Sequence, residues 1–87
     1  MNNYASPIKT VKARVVGKST YIYSKDRSLH SVYIVQTDYV AFELEDLKRI
    51  VIEVSPYVFT SLIEDDKGVL SYREQGSNLF FVDFERQ

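Results

Sequence analysis

The sequence predicts an all-β fold: a small five-stranded, mostly antiparallel barrel of the OB or SH3-like kind, with one short helical turn before the fourth strand. Apolar residues alternate with polar ones over residues 40–44 and again over 50–54, on either side of the polar turn Asp46-Leu47-Lys48, which is typical of a β-hairpin with one buried face. Ser55-Pro56 then ends the strand and opens a helical turn. Because a small sheet exposes unpaired edges unless it closes, we expect a barrel, with an open half-barrel as the alternative.

The first strand is predicted over Ile8–Val16, with a bend or bulge at Gly17. The strand resumes over Thr20–Tyr23, where Tyr21 and Tyr23 share one face and Ile22 lies on the other. Ser24–Ser28 (SKDRS) is predicted to be a polar loop.

The second strand is predicted to begin near Leu29 and to cover Val32–Val35. Either it ends there, or it continues through Thr37-Asp38 into Tyr39–Glu45 as one long bent strand. The later predicted strands are Ile50–Val54, Val69–Tyr72 and Leu79–Phe84. A helical segment is predicted over Pro56–Ile63, and a polar turn over Glu74–Ser77 joins the last two strands.

The predicted core contains the residues on the apolar phase of each element: Val15, Phe42, Leu44, Ile52, Val54, Leu62, Leu70 and Phe84. A length of 87 residues allows one domain, which we place at residues 8–87, with residues 1–7 as a linker or a cloning remnant. With no cysteine and a single histidine, His30, the chain lacks the usual ligands of a zinc site, and we expect neither a metal nor a cofactor.

Charge is distributed unevenly, since residues 1–27 carry six basic side chains and one acidic side chain, whereas residues 28–87 carry five basic and eleven acidic ones. Such asymmetry can indicate a basic arm for nucleic acid or lipid headgroups. The favoured interpretation is that the basic first strand pairs across the sheet with acidic neighbours such as Glu43, Glu45 and Glu53.

No residue pattern indicates catalysis. The carboxylates Glu64-Asp65-Asp66 lack the alternate-position spacing of a calcium loop, and a solvated loop explains them. Glu43 and Glu45 share one strand face, where outward alternation accounts for both. No organised nucleophile accompanies His30. We therefore predict no catalytic residue and no enzyme activity.

Six residues form a candidate interaction surface: Lys12, Arg14, Tyr21, Tyr23, Tyr33 and Tyr39. On an OB-like barrel, tyrosines beside basic residues could stack the bases of single-stranded nucleic acid. The acidic remainder of the chain would repel a polyanion, and tyrosines are also common on protein-interaction surfaces. A protein partner or a second copy of the chain is therefore favoured over nucleic acid.

Several segments carry a family resemblance: ARVVGK (13–18), YVAFELEDLKRIVIEVS (39–55), DKGVLSY (66–72) and a terminal F-x-x-F-E-R (81–86). Over about residues 10–86 the chain resembles the domain-of-unknown-function family 2500. It departs from the family pattern at Asp65 and Leu47, where that family usually has glycine. The resemblance implies no established activity. It also implies a single membrane span before the domain, joined to it by a short polar linker.

The sequence and the resemblance together predict a non-catalytic, membrane-tethered domain for protein interaction or self-association, with a nucleic-acid-binding barrel as the alternative. Positive residues near a membrane span tend to stay in the cytoplasm. Lys9, Lys12, Arg14 and Lys18 precede the first acidic residue, Asp26, so we expect the domain to face the cytoplasm.

Overall fold

A single antiparallel sheet of five strands forms the protein, as seen in a computed structural model that describes residues 6–28 and 31–87. In chain order the elements are β1 (Ile8–Ser28), β2 (Ser31–Leu44), β3 (Arg49–Val54), α1 (Pro56–Ser61), β4 (Lys67–Gln75) and β5 (Asn78–Arg86). The strands lie in the order β3-β2-β1-β4-β5. The all-β fold with a short helix before the fourth strand is confirmed. Because the edge strands β3 and β5 do not pair with each other in the described part of the chain, the sheet is the open half-barrel rather than a closed barrel.

The hairpin between β2 and β3 is confirmed at the predicted turn. The backbone N–H of Leu44 donates to the carbonyl of Lys48 at 2.8 Å, and the Asp46 carboxylate accepts from the N–H of Lys48 at 3.0 Å. Leu47, at the centre of the turn, has a φ of 68°, a left-handed conformation that disfavours a residue with a Cβ. The alternation on either side is strong enough to fix the hairpin despite this residue.

The helix α1 begins where Ser55-Pro56 predicts it. The Ser55 hydroxyl accepts from the N–H of Val58 at 3.2 Å, and proline occupies the first turn, where its missing N–H costs nothing. The helix ends at Ser61, two residues before the predicted end. Within residues 6–28 and 31–87, no helix has the length and apolar character needed to cross a bilayer.

The first two strands are longer than predicted. The sequence interpretation of Ser24–Ser28 as a loop is wrong, because β1 continues to Ser28 and pairs with β2 as far as Ser31. The strand-favouring residues Val32, Tyr33 and Ile34 lie opposite this polar segment and extend the ladder. The long form of the second strand is confirmed, although its predicted start at Leu29 lies outside the described residues. A bulge also occurs as expected, because the register shifts between Val15 and Gly17.

The core lies on the concave face of the sheet. Six of the predicted core residues are buried: Val15, Phe42, Ile52, Val54, Leu62 and Leu70. Leu44 and Phe84 are half-buried and pack against that core, since one ends β2 and the other lies on the edge strand β5. Ala13, Val40 and Tyr72 complete the core. The strand phase derived from the sequence is therefore correct.

Two glycines serve the β4–β5 hairpin in different ways. A Cβ on Gly68 would overlap the carbonyl oxygen of Glu85 on the neighbouring strand, so this position requires a residue without one. Gly76 has a φ of +62° in open space, as the first residue of a two-residue turn. One glycine permits close packing, and the other permits a turn.

Candidate functional site

The feature that sets this sheet apart is a projecting ribbon, formed by residues 19–28 of β1 and 31–37 of β2. In this part of the sheet the two strands pair only with each other, because β4 pairs with β1 no further than Arg14 and β3 pairs with β2 from Asp38 onward. An isolated two-stranded hairpin is marginally stable in water. A ribbon that projects from the core therefore offers both faces to a partner.

The outer face of the ribbon carries tyrosines, and we call Tyr21, Tyr23, Tyr33 and Tyr39 the tyrosine face. Residues directly opposite in an antiparallel pair lie on the same face, and the register pairs Tyr21 with Thr37, Tyr23 with Val35, Lys25 with Tyr33 and Ser19 with Tyr39. Tyr21, Tyr23 and Tyr33 are 59%, 39% and 37% exposed, whereas Tyr39 is half-buried. The rings of Tyr21 and Tyr23 lie 5.4 Å apart, tilted by 45°.

The two basic candidates, Lys12 and Arg14, share this outer face further along β1. Arg14 donates to Glu43 at 3.1 Å and to Asp65 at 2.7 Å. The hydrogen bond from Arg14 holds the pKa of Glu43 below its ordinary value, although partial desolvation opposes it. The structure thus places all six candidate residues on one face, but the guanidinium of Arg14 is already bound to carboxylates.

Charge pairing between the first strand and acidic neighbours is present for Glu43, as the favoured interpretation requires. Lys9 likewise pairs with Glu74 at 2.6 Å. In the described part of the chain, neither Glu45 nor Glu53 forms an ion pair. Glu45 also lies beyond the end of β2, in the turn, so the prediction that Glu43 and Glu45 share a strand face is wrong. Strand pairing stops at Leu44 because the turn hydrogen bonds begin there.

The carboxylates of the α1–β4 loop stabilise that loop. The Asp66 carboxylate accepts from the N–H of Ile63 at 2.9 Å and from Arg86 at 2.8 Å. The backbone hydrogen bond, then the Arg86 contact, lowers the pKa of Asp66. No group of three His, Cys, Asp or Glu side chains converges to hold a metal among the described residues, and His30 lies outside them.

The concave face of the ribbon has a feature that the sequence interpretation missed, an aliphatic face made of Ile22, Val32 and Ile34. These side chains are 60%, 63% and 66% exposed. They continue the same strand phase as the buried Val40 and Phe42. Alternation in the sequence marks them as core residues, whereas the structure leaves them exposed because no other helix or strand of the described chain covers them.

A second missed feature is an acidic cleft of about 1000 Å³ at the open side of the sheet. Its walls are the middle of β2, the end of β3, the start of α1 and the start of β5. Asp38 lies in this cleft and is only 4% exposed. Its Oδ1 accepts from the Thr20 hydroxyl at 2.9 Å and from the Gln36 amide at 3.3 Å. The available sequence signal was an aspartate on the core phase of a strand, two residues before Val40.

The family model described as "Protein of unknown function (DUF2500)" matches residues 1–85. The chain belongs to this family. Among solved structures, it is similar to a protein from Proteus penneri ATCC 35198, a Northeast Structural Genomics Consortium target, with 27% identity and a TM-score of 0.75. That match covers 94% of this chain and 98% of the other. A search of the curated proteins finds no match.

Proposed function

We propose that this member of the DUF2500 family is a non-catalytic interaction module, held at a membrane by a segment that precedes it, and that its projecting ribbon associates with a second copy. The observation that carries the proposal is the exposed tyrosine face. Tyrosine offers a large, amphipathic contact area, and aromatic residues are enriched in protein interfaces. At their observed exposures, Tyr21, Tyr23 and Tyr33 leave about 300 Å² of side-chain surface uncovered in each copy.

Charge complementarity favours a second copy as the occupant of this face. Lys25 lies opposite Tyr33 near the end of the ribbon, and Glu53 lies opposite Tyr39 at its base. Tyr33 and Tyr39 are six residues apart, a distance of about 20 Å along the strand. Two ribbons packed antiparallel about a twofold axis would bring Lys25 of each copy to Glu53 of the other. Neither residue has an ion pair among the described side chains.

The area available implies a weak association, because interfaces that bury less than about 1200 Å² in total belong to the transient class. We expect a concentration-dependent dimer in sedimentation velocity. Tyr21→Ser together with Tyr23→Ser should shift the protein to monomer. Tyr57→Ser is the matched control, since Tyr57 on α1 is 82% exposed and lies outside the ribbon. Wild-type protein that remains monomeric at millimolar concentration would contradict self-association.

A charge exchange tests the antiparallel geometry separately. Lys25→Glu should weaken the dimer, because each copy would then place two carboxylates together. The double variant Lys25→Glu with Glu53→Lys should restore it. If the double variant is as weak as the single one, the copies do not pack in the proposed antiparallel register.

Nucleic-acid binding is the alternative function, and the tyrosine face beside Lys12 is the observation that favours it. Its support is reduced because Lys9 and Arg14 are bound to carboxylates. A gel-shift assay with single-stranded oligonucleotides over a range of salt concentrations separates the two functions, because phosphate contacts weaken steeply as ionic strength rises. We expect no shift at physiological salt. A salt-sensitive shift that Tyr21→Ser abolishes would favour the alternative.

The membrane tether and the cytoplasmic orientation rest on the family resemblance and on the basic first strand. Anionic lipid would attract each free basic residue near the surface by about 1 kcal/mol. Of the four basic residues in this window, Lys9 and Arg14 are in ion pairs and Lys18 donates to the Leu62 carbonyl at 2.8 Å. A C-terminal reporter fusion to the natural protein tests the orientation. Activity of a periplasmic or extracellular reporter, with a silent cytoplasmic one, would contradict it.

A further inference from the structure

We propose that the acidic cleft is a second binding site, which takes a lysine or arginine side chain presented on an extended segment of a protein partner. The cleft borders the tyrosine face at Tyr39 and Glu53, whereas Tyr21, Tyr23 and Tyr33 do not line it. It lies where β3, the start of α1 and the start of β5 surround the middle of β2. Its volume is at the upper end of the range typical of ligand sites, about 300–1000 Å³.

The first argument is the state of Asp38. A carboxylate removed from water is unfavourable unless cations and hydrogen bonds compensate it. Both hydrogen bonds given by Thr20 and Gln36 reach the same oxygen, Oδ1. Among the described residues no donor reaches Oδ2 and no cation lies within ion-pair distance of either oxygen. The second carboxylate oxygen is therefore available to a donor that enters the cleft.

The second argument is the charge of the cleft lining. Asp38 lines the cleft from the core face of β2 and Glu53 from the outer face of β3, and among the described residues no lysine, arginine or histidine lines it. The nearby basic residue Lys18 is directed elsewhere, with its ammonium bonded to the Leu62 carbonyl at 2.8 Å and 4.4 Å from the centroid of the Phe59 ring. A cationic group from outside the chain would compensate Asp38.

The third argument is the unpaired backbone on both sides of the cleft. Among the described residues, β3 pairs with β2 alone and β5 with β4 alone, so each has one edge without a partner strand there. An extended peptide can add to such an edge through main-chain hydrogen bonds, while pockets accept its alternate side chains. Val54, Val58 and Leu79 supply apolar surface in the cleft for the neighbouring side chains of that peptide.

The aliphatic face of the ribbon extends this site. Ile34, Gln36 and Asp38 follow one another on the same face of β2, so the exposed Ile34 leads directly into the cleft. A segment whose cation reaches Asp38 can also cover Ile22 and Ile34, which are 60% and 66% exposed. The ligand class is thus an extended segment in which basic and aliphatic residues alternate.

The test uses two blocked pentapeptides, Val-Lys-Val-Lys-Val and Val-Gln-Val-Gln-Val, titrated into ¹⁵N-labelled protein at a concentration below self-association. We expect the lysine peptide to shift the amide resonances of Asp38, Val54 and Leu79 and to bind at least tenfold more tightly than the glutamine peptide. This comparison is made on wild-type protein, so it does not depend on the folding of a variant. Equal affinities, or no shifts at the cleft, would overturn the proposal.

Asp38→Asn should weaken binding of the lysine peptide about tenfold, because it removes the charge and keeps the size of the side chain. Asp83→Asn is the matched control, since it removes one charge from an exposed position of β5 outside the cleft. Equal losses of peptide affinity in the two variants would show that only the net charge of the protein matters, and would overturn the proposed site. Spermidine is the final arm: binding as tight as that of the lysine peptide would overturn the assignment to a peptide. The tyrosine variants of the ribbon should bind the peptide as wild type does, so this site and the proposed dimer fail independently.

Discussion

Leu47 allows a test of how much backbone strain at one turn residue reduces the stability of the domain. It occupies the turn between β2 and β3 with a φ of 68°, and its side chain is 75% exposed. A residue with a Cβ in the left-handed region is destabilised by about 1–2 kcal/mol. Glycine relieves that strain but loses about 0.5–1 kcal/mol because the unfolded chain gains freedom. We therefore expect Leu47→Gly to stabilise the domain by about 0.5–1 kcal/mol.

For a domain of this size, each kcal/mol changes the melting temperature by about 4–8 °C. Leu47→Gly should thus raise it by about 2–8 °C in calorimetry or in thermal denaturation followed by circular dichroism. Leu47→Ala is the matched control, because it removes the exposed side chain and keeps the Cβ. Alanine should leave the stability within about 0.5 kcal/mol of wild type. Equal melting temperatures for the glycine and alanine variants would refute the strain argument.

Asp65 is the second non-glycine residue in this conformation, with a φ of 78°. Aspartate tolerates the left-handed region better than leucine, and its carboxylate accepts from Arg14 at 2.7 Å. Asp65→Gly relieves less strain and loses that contact, so its gain should be smaller than that of Leu47→Gly. Both positions have a positive φ, so the difference in stability gain between the two variants follows from the chemistry of the side chains that are removed.

Three further predictions concern the core, the second hairpin and acid stability. Phe42→Ala should destabilise by about 3–5 kcal/mol, whereas Val51→Ala, on the outer face, should change stability by less than about 0.5 kcal/mol in denaturant titrations. Gly76→Ala should cost about 1 kcal/mol through φ strain alone, and Gly68→Ala should cost more in the same assay, because β5 must shift. The pKa of Asp66 is lower in the folded protein than in the unfolded chain, so the ionised Asp66 carboxylate stabilises the fold fully above about pH 4. This contribution is lost as the pH falls through the folded pKa. Asp66→Asn should therefore reduce the loss of stability at acidic pH in a series of denaturant titrations.

Much of the sheet was predictable, because alternation specifies which face of a strand is buried. The phase of Phe42 and Ile52 follows from the sequence alone. The extent of β1 does not, since Ser24–Ser28 contains the residues of a loop and is held as a strand by pairing with the strand-favouring residues of β2. The composition of a segment does not show which strand will pair with it across a hairpin. For the same reason, the exposure of Ile34 was not predictable, as it depends on the absence of an element above the ribbon.

The candidate sites also differ in how far strand periodicity predicts them. That Tyr21 and Tyr23 share a face follows from strand periodicity, and the β1–β2 register adds Tyr33 and Tyr39 to it. Asp38 could have been noticed, because a carboxylate on the core phase of a strand requires an explanation. Its cleft could not have been predicted, since its lining comes from β2, β3, α1 and β5, which only the tertiary fold brings together. Periodicity predicts faces, whereas cavities depend on tertiary curvature.

The distribution of ion pairs also bears on which class of partner the domain can attract. Lys9 and Arg14 each hold a carboxylate, so two of the six basic side chains that the sequence concentrates in residues 1–27 are compensated within the sheet. Exposed pairs of this kind contribute little to stability. Their consequence is electrostatic, because a cation bound to a carboxylate attracts phosphate weakly. Asp38 and Glu53 have no such partner among the described residues. The charge left uncompensated at the cleft is therefore negative, which favours a basic protein segment over a polyanion.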